Sequence, residues 1–270
     1  MITTNVPNKT RYRLYTSSTS LLSDTLTPVS IYLKVRDQFP NAVMLESSDY
    51  HGNENSYSFI GLAPMATFEV QGQSITQEFP DGHKELLALS DKAKVMPYLQ
   101  QYVNRFILND SSNNAANKAD ISNGLFGYMT YDAVQYFENI SFETPKNEAY
   151  SIPEMRYSLY RYVIAINHFK NTLTILENRL AGEPSAIDRV KALIFNRNYA
   201  VYDFETVGEE TSNISDRAYI DMVLEGKKHC KRGDVFQIVL SRQFAQQFKG
   251  DDFNVYRSLR AINPSPYLFY

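Results

Sequence analysis

Gly233-Asp-Val-Phe-Gln-Ile-Val-Leu-Ser-Arg-Gln-Phe244 is the stretch from which the rest of the chain is read. A Gly-Asp turn opens it, and the residues that follow alternate as those of a strand do. Phe236, Ile238 and Leu240 share one face; Val235, Gln237, Val239 and Ser241 share the other. A neutral amide among valines needs either a buried partner or a cavity that supplies one. The stretch therefore predicts a sandwich or barrel strand, with Gln237 either a satisfied core amide or a residue facing a cavity.

Working outward, Ser215 caps a predicted helix in which Ile220, Val223, Leu224 and Lys227 lead to Cys230 and the Gly233 turn. After the stretch, a helix over 252–262 carries Tyr256 and Leu259 inward and stops at Asn263-Pro-Ser-Pro-Tyr-Leu-Phe-Tyr270, an aromatic strand opening. Domains seldom finish on an apolar strand, so the reading is of a chain that continues in its parent protein. Before the stretch, the polar and acidic residues 203–214 read as a linker. Tyr157–Asn167 and Thr172–Leu180 form the clearest hairpin, closed by His168–Asn171. Glu183-Pro184 begins a helix with Ile187, Val190 and Ile194 inward.

Toward the amino terminus, 11–18 alternates as a strand, and Thr27-Pro28 opens a helix that ends at Pro40-Asn41. Residues 42–46, 57–61, 66–70 and 74–79 read as strands, the last two joined at Gln71-Gly72-Gln73, with a polar exit at Ser47-Ser48-Asp49. Leu99, Tyr102, Val103 and Phe106 sit at helical spacing after Pro97. The run 109–118 is small and polar and reads as a surface loop. Gly124–Thr130 returns to strand and 131–138 to helix. The order lacks the regular alternation of a parallel sheet, so the expected fold is α+β: antiparallel β-sheets packed as a sandwich with flanking helices.

The bulk numbers exclude several functions. The 270 residues, 43% hydrophobic and 21% charged, make a globular chain with ample core. A net charge of −3 without a basic stripe argues against a nucleic-acid surface. No apolar run approaches the ~18 residues of a membrane helix, and nothing near Met1 resembles a signal peptide. One cysteine excludes an intrachain disulfide and makes the cytoplasm the default location. Cys230 itself reads as core. His51, His83, His168 and His229 are scattered and read as solvated. No nucleotide-binding, zinc-protease or serine-hydrolase motif is present.

Four stretches in order resemble those of the chorismate-utilising enzymes, the family of anthranilate synthase component I. Met44-Leu-Glu-Ser47 is similar to that family's "L-L-E-S". Gly124-Leu-Phe-Gly-Tyr-Met-Thr-Tyr-Asp132, with Glu138, is similar to "G-x-x-G-Y-x-x-Y-D … E". Gly233–Arg242 resembles "G-D-hydrophobic-F/Y-Q-V-V-L-S-R", and Asn263-Pro-Ser-Pro-Tyr-Leu-Phe269 resembles "N-P-S-P-Y-M-F".

The resemblance implies conversion of chorismate and ammonia to anthranilate and pyruvate, with a glutamine amidotransferase subunit supplying the ammonia. It implies Mg²⁺ in the parent enzyme, with the metal ligands and the general acid/base in a carboxy-terminal half beyond this chain. No catalysis is then expected of the chain alone, whose residues 1–210 would be the amino-terminal region and 211–270 the start of the chorismate-binding region. Relatives that add water carry lysine where Gln237 stands, and glutamine cannot act as a base, so Gln237 suits the ammonia-using branch as a cavity-lining residue. The resemblance also implies a feedback site for L-tryptophan made by Leu45, Glu46, Ser47, Pro266, Tyr267 and Leu268. Leu268 departs from the family's methionine, keeping apolar volume without the sulfur. Aminodeoxychorismate synthase component I, or a non-catalytic amino-acid-binding module, is the alternative.

Overall fold

The computed structural model describes residues 10–47, 56–90, 92, 95–110, 123–142 and 152–270. Most of the polar run 109–118 lies outside them, as do Ser48, Asp49 and His51. Two compact units divide the chain: Met1–Ala200 together with Ser265–Tyr270, and Val201–Pro264.

The first unit contains, in order, β1 (Tyr12–Leu22), α1 (Pro28–Val35), β2 (Val43–Ser47), β3 (Tyr57–Gln71), β4 (Ser74–Glu78) and β5 (Lys84–Ala88). Then come α2 (Val95–Val103), β6 (Phe106–Asp110), β7 (Phe126–Met129), a short 3-10 helix (Tyr131–Tyr136), β8 (Met155–Asn167), β9 (Thr172–Arg179) and α3 (Ile187–Phe195). The second unit holds β10 (Phe204–Ser212), α4 (Asp216–Arg232), β11 (Phe244–Gly250) and α5 (Phe253–Ile262). The chain then returns to the first unit as β12 (Tyr267–Phe269). The fold is α+β, and the pairing is antiparallel except between β1 and β6.

Ten strands form one sheet in the order β12-β2-β3-β8-β9-β1-β6, with β4 and β7 on the far halves of β3 and β8 and β5 outside β4. The 15-residue β3 joins two runs that read as separate strands in the sequence. A register shift between Pro64 and Ala66 allows the join, beside Ala63 at φ +53°. Proline cannot donate to the ladder, so the bulge looks like a break in sequence while the strand continues.

Alternation sorts the sheet's side chains. Met44, Ile60, Leu62, Ile164, Leu173 and Ile175 lie on one face and are fully buried. Ile31 and Val35 of α1 and Val190 and Ile194 of α3 supply apolar cover, and Lys34 Nζ ties the two helices by donating to the Ile194 carbonyl at 2.9 Å. Thr27 and Ser30 cap α1 reciprocally, each side chain accepting the other's backbone N–H at 3.1 Å. Past the bulge a second cluster joins Tyr12 and Leu14 to Phe68, Val70, Ile75, Tyr102 and Met155.

Several expectations are corrected. Phe106 is not the last turn of a helix but the first residue of β6, because α2 stops at Val103 and pairing with β1 takes over. Helix α3 begins at Ile187, later than Glu183-Pro184. Residues 203–214 are not a linker: β10 pairs antiparallel with β11, from Phe204 opposite Gly250 to Ser212 opposite Phe244. Ser215 caps α4 as expected, accepting from Ala218 N at 3.2 Å, and Gly233 ends it in the left-handed conformation at φ +79°. The residues after Gly233 do not form a strand. Val235–Gln243 runs as coil, the strand starts only at Phe244, and Phe236 and Val239 are exposed. No strand of the described residues runs beside 235–243, and without a ladder partner an alternating sequence has nothing to be a strand against. Leu259 is exposed rather than inward and Cys230 exposed rather than core, and Ile220 and Leu224 of α4 are exposed as well. In α5 only Phe253 and Tyr256 are buried, with rings stacked at 5.4 Å.

Candidate functional site

The clearest convergence of separated sequence motifs is the pairing of β2 with β12. Tyr267 lies opposite Ser47, Leu268 opposite Glu46 and Phe269 opposite Leu45. Reciprocal bonds between Met44 and Tyr270, both 2.8 Å, close the ladder, and the Tyr32 ring meets Tyr270 edge-on at 5.7 Å. Residues more than 200 positions apart thus become cross-strand neighbours.

Alternation then divides the six candidates. Glu46 and Leu268 share the face of Met44, which is the fully buried one. Leu45, Ser47 and Tyr267 share the opposite face with Phe59 and Phe269. Pro266 precedes the strand and is exposed, as are Tyr267 and Phe269. Glu46 is only 5% exposed, and its neighbour across β3 is Ser58, itself 1% exposed. An ionised carboxylate accepts hydrogen bonds only, so an ammonium group is within the chemistry of Glu46. On the opposite face from Glu46, the exposed Tyr267 and Phe269 rings offer flat apolar surface beside Leu45 and Ser47.

Sequence reading missed Ser58 and His168. The Ser58 hydroxyl and His168 Nε2 lie 2.7 Å apart. His168 reads as a solvated turn residue until the hairpin and the β3–β8 register are combined, which places both on Glu46's face.

The second motif is explained by close approach. Gly127 in β7 faces β8 at Tyr157, and a Cβ there would sit 1.9 Å from the Arg156 carbonyl oxygen. Glycine is what lets the two backbones meet. Gln237, the remaining candidate, is exposed in coil within the second unit, which overturns the reading of a buried, satisfied strand amide. Among the described residues no three His, Cys, Asp or Glu side chains cluster closely enough to hold a metal ion, so no step through Mg²⁺ is derived from this chain. No helix among them is long and apolar enough to cross a membrane.

A family model described as chorismate binding enzyme matches residues 41–270. The chain belongs to that family. The match runs from just before β2 to the end of β12 and so includes both paired segments. Among similar proteins, anthranilate synthase component 1 of Lactococcus lactis is 26% identical over 92% of this chain and 53% of its own length. Its counterpart in Aquifex aeolicus is 27% identical over 96% of this chain and 53% of its own length. The crystal structure of anthranilate synthase component I from Streptococcus pneumoniae shares the fold, with a TM-score of 0.51 at 20% identity, covering 91% of this chain and 53% of that one. The chain spans about half the length of the relatives it matches.

Proposed function

We propose that this chorismate-binding chain acts as part of an anthranilate synthase component I, in the conversion of chorismate and ammonia to anthranilate and pyruvate. In this reading a glutamine amidotransferase subunit delivers the ammonia, and the enzyme works in the cytoplasm with Mg²⁺ held by residues outside this sequence. Gln237 lines the chorismate cavity once the second unit is covered, and the 270 residues alone are inactive. The strand pair β2–β12 is the feedback site for L-tryptophan: Glu46 receives the α-ammonium, Ser47 hydrogen-bonds, and Leu45, Pro266, Tyr267 and Leu268 surround the indole.

One observation carries this reading: the register that sets Leu45-Glu46-Ser47 against Phe269-Leu268-Tyr267, with Glu46 buried. The chorismate-binding family match over residues 41–270 includes both strands, and relatives named anthranilate synthase component 1 align over more than nine tenths of the chain. Calorimetric titration of the folded chain with L-tryptophan tests it. Saturable binding is expected, lost in Glu46→Ala, and ligand at ~100 times its Kd stabilises the fold by ~2.7 kcal/mol. A folded chain that gives no heat with L-tryptophan removes the feedback reading and leaves the aminodeoxychorismate branch.

A further inference from the structure

The face of the sheet opposite Glu46 carries an aromatic arrangement that draws on residues outside the two paired segments. Tyr267 lies across from Ser47, while Phe269 and Phe59 lie on either side of Leu45. Glu46 is opposite Ser58, so the same register brings Tyr57 to the level of Ser47. Two successive rows therefore read Tyr267, Ser47, Tyr57 and Phe269, Leu45, Phe59. In each row a smaller side chain of β2 stands between two rings, one from β12 and one from β3. The result is a trough one strand wide.

The two walls differ in how they are held. Tyr57 and Phe59 are half-buried, with rings within 20° of parallel and centroids 5.8 Å apart. Phe126 packs against Phe59 at 5.6 Å, and the buried Tyr160 meets Phe126 edge-on at 6.3 Å. The β3 wall is thus backed by the core. Tyr267 and Phe269 are instead 79% and 76% exposed. The floor ends one level beyond Leu45, where Val43 faces Gly61. There the Tyr160 ring lies over the glycine, so close that an added Cβ would sit 2.8 Å from its Cγ. That ring closes the trough at this end.

We propose that Tyr57 and Phe59 form the fixed wall against which the amino-acid ligand lays its aromatic ring, with Tyr267 and Phe269 as the facing wall. Strands β12 and β3 are two strand spacings apart, about 9–10 Å. A flat ring between their side chains lies about 5 Å from each wall, inside the range of roughly 4.5–7 Å at which aromatic rings pair. One ring system fits there and a second does not. The exposed rings of β12 supply driving force, because their apolar area leaves water when the trough is filled. An aliphatic side chain buries similar area without the ring pairing, so the trough selects an aromatic amino acid. The inference rests on the feedback reading above, and it assigns the ligand's ring to this face and to two residues outside the paired segments.

The chain contains no tryptophan, so the indole emission of added L-tryptophan is read without a protein background. Titration of the 270-residue chain is expected to move that emission to the blue as the ring leaves water. Tyr57→Leu and Phe59→Leu keep apolar volume on β3 but remove a flat face, and each is checked by circular dichroism and melting temperature. Each is expected to weaken L-tryptophan binding about 10-fold, or ~1.4 kcal/mol. Tyr57→Phe, which restores a ring without the hydroxyl, is expected to recover most of the affinity. Binding and a blue shift that are unchanged in both leucine variants overturn the inference and leave the feedback reading standing. So does binding to the unaltered chain with the emission left at its free-ligand position. A dimer in sedimentation velocity that Tyr57→Leu disperses gives the face to a second copy and also overturns the inference. A folded wild-type chain that does not bind L-tryptophan overturns it together with the feedback reading.

Discussion

At Gly127 one absent methyl group decides whether two strands can meet. A Cβ there collides with the Arg156 carbonyl, and backbone cannot step aside as a flexible side chain can. Gly127→Ala is therefore expected to detach β7 and cost ~2–3 kcal/mol, read from the urea midpoint; an unchanged midpoint contradicts the close approach. Tyrosines give a second prediction at this scale. Burial, with the Asp81 carboxylate that accepts the Tyr12 hydroxyl at 3.0 Å, pushes Tyr12 up to about 12. Burial and the charge of Glu154 push Tyr136 up to about 12 as well. Both are raised above the unfolded value near 10. Between about pH 10 and 12 the folded state then holds more protons than the unfolded one, so their contribution is complete below pH ~10 and lost as pH rises toward 12. Melting temperature should fall across that window and fall less steeply in Tyr12→Phe; a flat profile to pH 12 contradicts the assignment. The sequence shows that residues 44–47, 124–132 and 267–269 belong to motifs, because residue types in a fixed order are visible in one dimension. It hides Ser58 and His168, because a hydroxyl and an imidazole 110 positions apart acquire meaning only through register.

At the scale of elements, α3 depends on a buried acid. Glu177 is fully buried on the helix-packed side of β9, and its carboxylate accepts the Ser185 hydroxyl at 2.5 Å and the Ala186 N–H at 3.0 Å, where α3 begins. Arg161 and Arg179 lie 3.5 and 3.7 Å from it. Removing the acid leaves two guanidinium groups without their shared partner and the start of α3 without its acceptor. Glu177→Ala should cost ~3 kcal/mol by thermal or chemical denaturation, and a loss under ~1 kcal/mol would show that the arginines and α3 are held elsewhere. Capped helices were legible: Thr27 before Pro28, and Ser215 before an acidic first turn, mark α1 and α4 within a residue. The 157–180 hairpin was legible from alternation across a short polar turn. Strand β5 was not, since Lys84-Glu-Leu-Leu-Ala88 consists of helix formers and is a strand only because β4 pairs with it. Strand β10 was masked by its glutamates, which are tolerated because its side chains lie mainly in solvent.

For the whole molecule, the two units differ in how much they bury. The first has a continuous core on both sides of the Pro64 bulge. The second, Val201–Pro264, buries only Phe253 and Tyr256 among its large apolar residues, while Ile220, Leu224, Phe236, Val239 and Phe248 are exposed. An isolated unit of that size with so small a core is below what usually sustains a fold. Residues 201–264 expressed alone should therefore unfold without a cooperative transition; a sharp two-state melt would contradict this. The central claim concerns the first unit, where β2 and β12 meet. Hydrogen–deuterium exchange of the full chain with and without saturating L-tryptophan tests it most directly. The account predicts slowed amide exchange concentrated in residues 43–47 and 265–270. Binding that slows exchange elsewhere and leaves both strands unchanged would contradict it.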